Sequence, residues 1–434
     1  MKCADAIDTV RIRRDWRVLC SDIGERRAGS VEERRAAAFI GERLTQAGCA
    51  RVREEPFPCA SLHGASIDLR VLDKGRWTRA QCVPLVGAPG TAGGRRIEAD
   101  LVWVESPEGV HRLQPGGLRG QIAAWFGPLP TNLAHHRRLL AARPAAVLQV
   151  DERLPFTWTK QDGVYPYWAK VHGMPPMFAV PYRDAWRWRR DGIGRVRLAA
   201  TVDLRRARSQ NVIAELPGAD PSLPAVVVTA HHDTQAGNPG ADDNGSGVMA
   251  LLELARVLAP APRQRTARFI SFGAEEQLSV GAAAYLRRHA AEVPRDSGLV
   301  VNFDSVSSPL GHFEMWWVGE DALARTAKRA FAREGLDVVP RREVTPFVDN
   351  FPFNRAGVPS LWFMRGNFPG GRWQHHSPHD TLKNTSVAEL VRLLRGVTPF
   401  VQSLVSAARW PFAATVPADQ RREVRRVSRD LFGV

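Results

Sequence analysis

The sequence predicts an α/β fold, in which a mixed and largely parallel sheet is flanked by helices and carries an inserted β-rich domain. Its 434 residues are enough for two or three domains. Residues 206–405 alternate short apolar runs of strand character with longer runs of helical periodicity, as α/β domains do. Residues 61–205 instead consist of short β-rich segments separated by glycine and proline. This change of pattern predicts the insertion.

Residues 1–60 are predicted to be a helical part of the same domain as residues 206–405. Ser30 and Glu33 have the Ser-x-x-Glu spacing of a capping box, in which two side chains satisfy amides at the start of a helix. The apolar positions that follow are Ala38, Ile40 and Leu44. A helix is therefore expected to begin just after Ser30.

The middle segment, residues 61–205, is expected to fold as a separate β-rich domain. Its tryptophans are more typical of core packing than of a ligand platform. The β-rich pieces are SIDLRVL, ADLVWV, GQIAAWF, AAVLQV and GRVRLAATVDL.

The third segment, residues 206–405, predicts alternating strands and helices. The run AVVVTA at 225–230 is apolar, branched and short, which is typical of a buried strand. The further strands are expected in ARFISFGA and GLVVNF and at 313–318 and 360–364, and the helices at 247–258, 282–291, 322–334 and 386–407. Residues 406–434 are expected to form a basic C-terminal tail, with the run 421–429 as a solvated helix face.

The composition limits the partners of the chain. The formal net charge is +15, but arginines recur along the whole length with no basic and aromatic block, so we expect no nucleic-acid partner. The five cysteines form no Cys-x-x-Cys pair and are expected to be reduced thiols. No apolar stretch has the length of a signal peptide or a membrane span, so a cytoplasmic protein without a membrane partner is expected. The oligomeric state stays open.

Acidic and imidazole side chains follow the predicted strands of the third segment. In open α/β sheets ligands bind outside the carboxyl ends of strands, so these residues are expected to meet at one edge. Converging carboxylates would repel one another without a cation, which predicts a metal site. Nitrogen and oxygen ligands without thiolate favour zinc, with cobalt or manganese possible. The residues are His231, His232 and Asp233, then Asp242 and Asp243, Glu275 and Glu276, Asp304, and finally His375, His376, His379 and Asp380.

Five sequence blocks carry a resemblance to a known family. TAHHDT, GADDNGSGVMALLELAR, FGAEEQ, NFDS and HHSPHDT occur in this order between about residues 205 and 405. They resemble the signature blocks of the two-zinc aminopeptidase family (peptidase family M28), which also includes glutamate carboxypeptidase and glutaminyl cyclase relatives. The resemblance implies a zinc-peptidase fold, two Zn²⁺ ions and a peptide substrate.

The resemblance also implies individual roles. His231 and Asp304 would hold one zinc, Glu276 and His376 the other, and Asp243 would bridge the two. The resemblance makes Glu275 the general base. Adjacent glutamates on an extended backbone cannot both point at one ion, so one would bind the metal and the other would face the water. Asp233 lies two residues after His231 and could orient its imidazole.

Two features have open interpretations. His375 stands where many family members have a tyrosine that stabilises the oxyanion; it could donate the same hydrogen bond or be an exposed histidine. The middle segment, through RGQIAAW, RPAAVLQVD and MPPMFAV, resembles the protease-associated domain of several members. It could cover one side of the cleft or be a stabilising appendage.

The expected activity is removal of amino-terminal residues from peptides. The alternatives are a carboxypeptidase, a dipeptidase or another amidohydrolase on the same site, or a receptor-like protein without catalysis. Arginines that bind a substrate carboxylate would favour a carboxypeptidase, dipeptidase or other amidohydrolase, and Arg355, Arg365 and Arg372 are candidates. The aromatic residues that could form an apolar pocket are Phe347, Phe351, Phe353, Trp362, Phe368 and Trp373.

Overall fold

The computed structural model describes residues 6–130, 132–150, 157–159, 162–367 and 372–434. The chain forms two compact units. The first contains Met1–Cys59 and Ala207–Arg426, and the second contains Ala60–Arg206 and Val427–Val434.

The helices are α1 (Thr9–Arg17), α2 (Val31–Gln46), α3 (Glu108–Arg112), α4 (Leu133–Ala142), α5 (Pro166–Val171), α6 (Tyr182–Arg190), α7 (Gly247–Leu258), α8 (Val280–Arg288), α9 (Val293–Asp296), α10 (Asp321–Arg333), α11 (Asn350–Arg355), α12 (Val387–Ser406) and α13 (Ala418–Phe432). The strands are β1 (Ala50–Asp73), β2 (Arg76–Ala80), β3 (Val83–Pro84), β4 (Ile97–Glu105), β5 (Ile122–Phe126), β6 (Ala146–Val150), β7 (Met177–Val180), β8 (Arg195–Leu216), β9 (Ala225–His231), β10 (Ala267–Phe272), β11 (Ser297–Phe303), β12 (His312–Val318), β13 (Val339–Arg342) and β14 (Ser360–Gly366).

The sheet of the first unit has the order β13-β12-β14-β11-β9-β10-β8. Its centre is parallel, because β9 pairs in parallel with β10 and β11, and β11 pairs in parallel with β14. Strands β12 and β8 run antiparallel to their neighbours β14 and β10. The prediction of a mixed, largely parallel α/β sheet flanked by helices is confirmed.

The central strands are buried over their whole length. Every residue of β9, β11 and β14 is buried, as expected for strands covered by helices on both faces. Helix α7 is buried at eleven of its twelve positions, and α12 contributes a long apolar face to the same core. The site residues therefore extend from a rigid base.

Helix α2 begins where the sequence predicts. The Ser30 hydroxyl accepts the amide of Glu33 at 3.0 Å, while the Glu33 carboxylate accepts from the Gly29 amide rather than from Ser30. Ala38 is exposed, contrary to expectation, because it lies on the opposite side of the helix from the buried residues. The buried residues are Glu33, Ala36, Ala37, Phe39, Ile40 and Leu44.

A close backbone approach fixes the turn after β10. A Cβ atom on Gly281 of α8 would overlap the carbonyl group of Gly273, so only glycine fits there. The Asn211 side chain bonds to both positions, since its Nδ2 donates to Gly281 O at 2.9 Å and its Oδ1 accepts from Gly273 N at 3.3 Å. The turn that follows Gly273 is thereby held in place.

The strands of the second unit follow the order β8-β4-β5-β6-β7-β3. Strands β4 to β7 are parallel, and β3 and β8 pair antiparallel at the two ends of this order. Helices α3 to α6 lie between or after these strands in the chain, and the sequence analysis did not assign them. They have only 5 to 10 residues each, and helices this short depend on tertiary packing more than on a pattern in the sequence. The resemblance to a protease-associated domain stays a prediction.

The C-terminal segment contains helix α13. Val424, Val427 and Leu431 are buried on one side of it. The arginines of the basic run point to solvent: Arg421, Arg422, Arg425, Arg426 and Arg429. Across the described ranges, no helix combines the length and apolar character that a membrane crossing requires.

Candidate metal centre

The predicted site residues meet at the carboxyl edge of the first unit's sheet. His231 ends β9, and β10 pairs with β9 so that Phe272 lies opposite it. A short turn, Glu275–Gln277, follows β10, and Asp304 follows β11. The loop after β14 brings the late histidines to the same edge.

Asp243 lies at the centre of the cluster, and one of its two carboxylate oxygens, Oδ1, faces His231. Its Oδ1 is 3.2 Å from Nε2 of His231. The same Nε2 is 3.8 Å from Oδ1 of Asp304. These three side chains form one set of nitrogen and oxygen donors.

The second oxygen of Asp243 faces a different set of donors. Its Oδ2 is 3.4 Å from Nε2 of His376 and 3.0 Å from Nε2 of His375. Nε2 of His376 is also 2.9 Å from Oε2 of Glu276. The donors therefore fall into two sets that share the carboxylate of Asp243, and a donor atom of Glu276 also lies within 4.8 Å of donor atoms of His231 and Asp243.

The backbone around Asp243 is held by Asp380. The Asp380 carboxylate accepts the amides of Asp242 at 2.7 Å and of Asp243 at 2.9 Å. The peptide bond between Asp243 and Asn244 is cis. The Asn244 side chain accepts the amide of Gly247, at the start of α7, at 2.9 Å. The sequence placed Asp380 in the late loop with the histidines. It did not predict that the Asp380 carboxylate binds the backbone amides of Asp242 and Asp243.

Asp233 holds the backbone of the two glutamates. Its carboxylate accepts the amides of Glu275 at 2.9 Å and of Glu276 at 3.2 Å. Nδ1 of His231 is 3.2 Å from the carbonyl oxygen of Asp233 and 3.6 Å from its carboxylate. Asp233 thus contacts the imidazole as expected and also positions the turn that carries Glu275 and Glu276.

The side chains of Glu275 and Glu276 point to different partners. Gln235 donates two hydrogen bonds to the Glu276 carboxylate, one from its backbone N–H at 3.2 Å and one from its side-chain Nε2 at 3.1 Å. Glu275 accepts from the Ser279 hydroxyl at 3.1 Å and lies 3.9 Å from Nε2 of His231. Burial, followed by the nearby carboxylates, raises the pKa of Glu275 well above its ordinary value, although His231 opposes this.

The electrostatics of the cluster favour bound positive charge. Burial disfavours a charged imidazole, yet hydrogen bonds to Asp233, Asp243 and Asp304 raise the pKa of His231 well above its usual value. Burial also acts against ionised Asp243, but hydrogen bonds from the histidines hold its pKa well below the ordinary range. Positive charge beside Asp243 therefore keeps its carboxylate ionised in spite of burial.

The donor set fits zinc. Ligand atoms 2.0–2.1 Å from a tetrahedral Zn²⁺ lie about 3.3 Å from one another, close to the spacings found in both sets. The predicted ligands contribute two imidazole nitrogens and three carboxylates, with no thiolate, a combination that suits zinc and also cobalt. The predicted metal ligands are His231, Asp243, Glu276, Asp304 and His376.

Other residues of the acidic and imidazole group have structural contacts. His232 is fully buried with its Nδ1 3.0 Å from the Ser271 hydroxyl, and burial lowers its pKa to about 4. Asp242 accepts the amide of Ser307 at 2.8 Å. His379 is exposed. His232 and Asp242 thus support the structure around the site.

The candidate arginines are mostly engaged within the protein. Arg372 is buried, with Nη2 3.2 Å from Oδ2 of Asp243. Arg365 pairs with Glu389 at 3.2 Å, and Arg355 ends α11 at the surface. The first two guanidinium groups are thus already paired with carboxylates.

The aromatic candidates divide by burial. Phe351, Phe353 and Trp362 belong to the core. Phe347 and Trp373 are 49% and 37% exposed, so the predicted apolar pocket depends on these two side chains. Phe368 lies outside the described residues.

Arg26 was not predicted and supports the loop that leads to Asp243. Its side chain is completely buried and donates to the carbonyl oxygens of His232, Pro239 and Gly240 at 2.8, 2.8 and 2.9 Å. No sequence motif marks such a contact, because its acceptors are main-chain atoms. The guanidinium fixes the loop from the N-terminal side of the chain.

Comparison with known proteins finds relatives among peptidases. Residues 211–401 match the family described as Peptidase family M28. Aminopeptidase YwaD of Bacillus subtilis (strain 168) is 29% identical over 211 residues, which cover 47% of this chain and 46% of the relative. Leupeptin-inactivating enzyme 1 of Streptomyces exfoliatus is 34% identical over 157 residues, or 35% of each chain. The matched segments span less than half the length of these curated relatives.

The structural comparison covers nearly the whole chain. The solved structure of BSAP, a zinc aminopeptidase from Bacillus subtilis, aligns over 95% of this chain and 98% of its own, with a TM-score of 0.71 and 22% identity. At this identity the likeness shows the fold. The family match of residues 211–401 covers less than half of this chain.

Proposed function

We propose that this chain is a zinc-dependent exopeptidase that removes amino-terminal residues from peptides. The observation that carries the proposal is Asp243, whose two oxygens face two separate donor sets beside the carboxylate of Glu275. Such a bridging carboxylate is what a two-metal hydrolase requires. Relatives named as aminopeptidases support the same activity.

Each side chain would have a defined role. His231 and Asp304 would hold one zinc, Glu276 and His376 the second, and Asp243 both. The ions would lower the pKa of a shared water and polarise the scissile carbonyl group. Glu275 would take the proton of that water and pass it to the leaving amine.

The charge of the site favours an amino-terminal substrate over a carboxyl-terminal one. Asp349 is 1% exposed, and neither of its carboxylate oxygens has a hydrogen-bond partner among the described residues. Burial raises the pKa of Asp349 well above its ordinary value, and the nearby carboxylates add to this effect against the opposing charge of His231. The ammonium group of a peptide N-terminus would favour the ionised form of such a carboxylate and pair with it, whereas a terminal carboxylate would be repelled by it.

The proposal is tested with peptides blocked at either end. We expect hydrolysis of peptides with a free N-terminus, whether or not the C-terminus is amidated, and none of N-acetylated peptides. A chelator should abolish the activity, and added Zn²⁺ should restore it. Cleavage of N-acetylated peptides at a free C-terminus would instead support the carboxypeptidase alternative. A purified protein without affinity for divalent ions would support the receptor-like one.

A further inference from the structure

His375 lies within the second donor set, beside His376. Its Nε2 is 3.0 Å from Oδ2 of Asp243, the oxygen that His376 also approaches. The two imidazole rings are stacked, with centroids 3.5 Å apart and an interplanar angle of 26°. Both rings therefore present Nε2 to the same carboxylate oxygen.

The ligand atoms of these residues are grouped tightly enough for one ion. Asp243, His375 and His376 offer three donor atoms that all lie within 4.8 Å of one another. Two ligands of one tetrahedral zinc are about 3.3 Å apart, a separation close to both Nε2 to Oδ2 distances. The distance from each imidazole Nε2 to Oδ2 of Asp243 is therefore compatible with binding of one ion by both histidines and Asp243.

We propose that His375 is a direct ligand of the ion that Glu276 and His376 hold. This inference rests on the proposed two-metal site and assigns that ion two imidazole ligands. The resemblance implies a tyrosine at this position and only one imidazole on this ion. Two imidazoles shift a site toward zinc and cobalt and away from manganese, which prefers oxygen ligands.

Arg372 gives a physical reason for the additional ligand. Its Nη2 lies 3.2 Å from Oδ2 of Asp243 and occupies part of the lone-pair space of that oxygen. This contact weakens the oxygen as a metal ligand, and the guanidinium also repels a nearby cation. A neutral imidazole from His375 restores a strong donor without adding another buried negative charge.

His375→Phe tests the proposal without any substrate. We expect the affinity for one of the two Zn²⁺ ions to fall at least tenfold in a chelator competition titration, while the affinity for the other is unchanged. The visible absorption of the Co²⁺-loaded protein should change accordingly. His379→Phe, the same substitution at an exposed histidine four residues further on, should bind both ions with parental affinity.

The wild-type protein provides a second measurement if the variant does not fold. In the Co²⁺-loaded protein, proton NMR should show three strongly shifted, exchangeable imidazole N–H signals, from His231, His375 and His376. Two signals would overturn the proposal. So would a folded His375→Phe protein that binds both ions normally but turns over slowly, since that outcome indicates an oxyanion donor. Loss of peptidase activity with intact three-histidine binding would reject only the proposed function.

Discussion

At the scale of single residues, Glu275 and Glu276 are neighbours with different environments. Glu276 is held by Gln235 and approaches His376, as a metal ligand would be. Glu275 accepts one hydrogen bond from Ser279 and faces His231 from 3.9 Å. Glu275 can therefore be changed without removing a ligand, and its raised pKa suits a proton acceptor.

Glu275→Gln should lower kcat by about 10²–10⁴-fold, because a general base contributes a factor of this size. The zinc content should stay at the parental value, since the amide replaces no ligand. Steady-state kinetics on an aminoacyl anilide and elemental analysis measure the two quantities. The matched control is Glu276→Gln, which should lose zinc. A parental rate in Glu275→Gln would show that another group is the base.

The sequence could identify the acidic residues but not separate ligands from their supports. Asp233 and Asp380 resemble Asp243 and Asp304 in type and position along the chain, yet their carboxylates accept main-chain amides. The direction of a backbone amide depends on the folded turn, which no residue pattern records. The family resemblance, rather than spacing, made the distinction.

At the scale of elements, long and strongly patterned segments were predictable. The strands and helices of the first unit, such as β9 and α7, match their expected positions. They are buried, and burial requires runs of apolar residues that are visible in the sequence. Helices α4 and α6 of the second unit have only 10 and 9 residues and were not assigned. Segments of this length depend on tertiary packing more than on propensity.

Ser30→Ala should destabilise the first unit by about 1 kcal/mol, since it removes the side chain that caps α2. The loss leaves the amide of Glu33 without its acceptor. Urea unfolding of the full chain measures the change. Thr45→Ala, at an exposed position in the last turn of the same helix, serves as the control and should have an effect below about 0.5 kcal/mol. Equal effects of the two substitutions would contradict the cap.

At the scale of the whole molecule, the two units have different acid-sensitive groups. The carboxylate and imidazole cluster belongs to the first unit. In the second unit His136 is 1% exposed, its Nε2 lies 3.2 Å from Gly173 O, and its ring stacks on Trp168. Burial, with a contribution from His172, lowers the pKa of His136 to about 4. The second unit therefore keeps this histidine neutral.

The second unit should lose stability as the pH falls from about 6.5 to 4. Unfolded chains protonate His136 near pH 6.5, whereas the folded unit does so only near 4, so the contribution is present above 6.5 and is lost below. The shift corresponds to about 3 kcal/mol.

His136→Phe should reduce this pH dependence by that amount, as measured by hydrogen exchange of residues 133–142 and 166–171 at pH 7.5 and 4.5, corrected for intrinsic rates. His63→Phe, at an exposed position of the same unit, should leave the dependence unchanged. An unaltered pH response in His136→Phe would show that other groups cause it.

The buried guanidinium of Arg26 shows that the segment matching the family, residues 211–401, is smaller than the unit that folds around the site. That unit also includes the N-terminal segment that carries Arg26. A fragment that begins at residue 211 would keep every proposed ligand and the base. It would lose the donor to three main-chain carbonyl oxygens, those of His232, Pro239 and Gly240. Removal of the first thirty residues should therefore abolish metal binding, although none of residues 6–30 contacts a proposed metal ligand. The segment that matches the family contains the proposed ligands and the base. The N-terminal segment, through Arg26, holds the loop that leads to Asp243 in place.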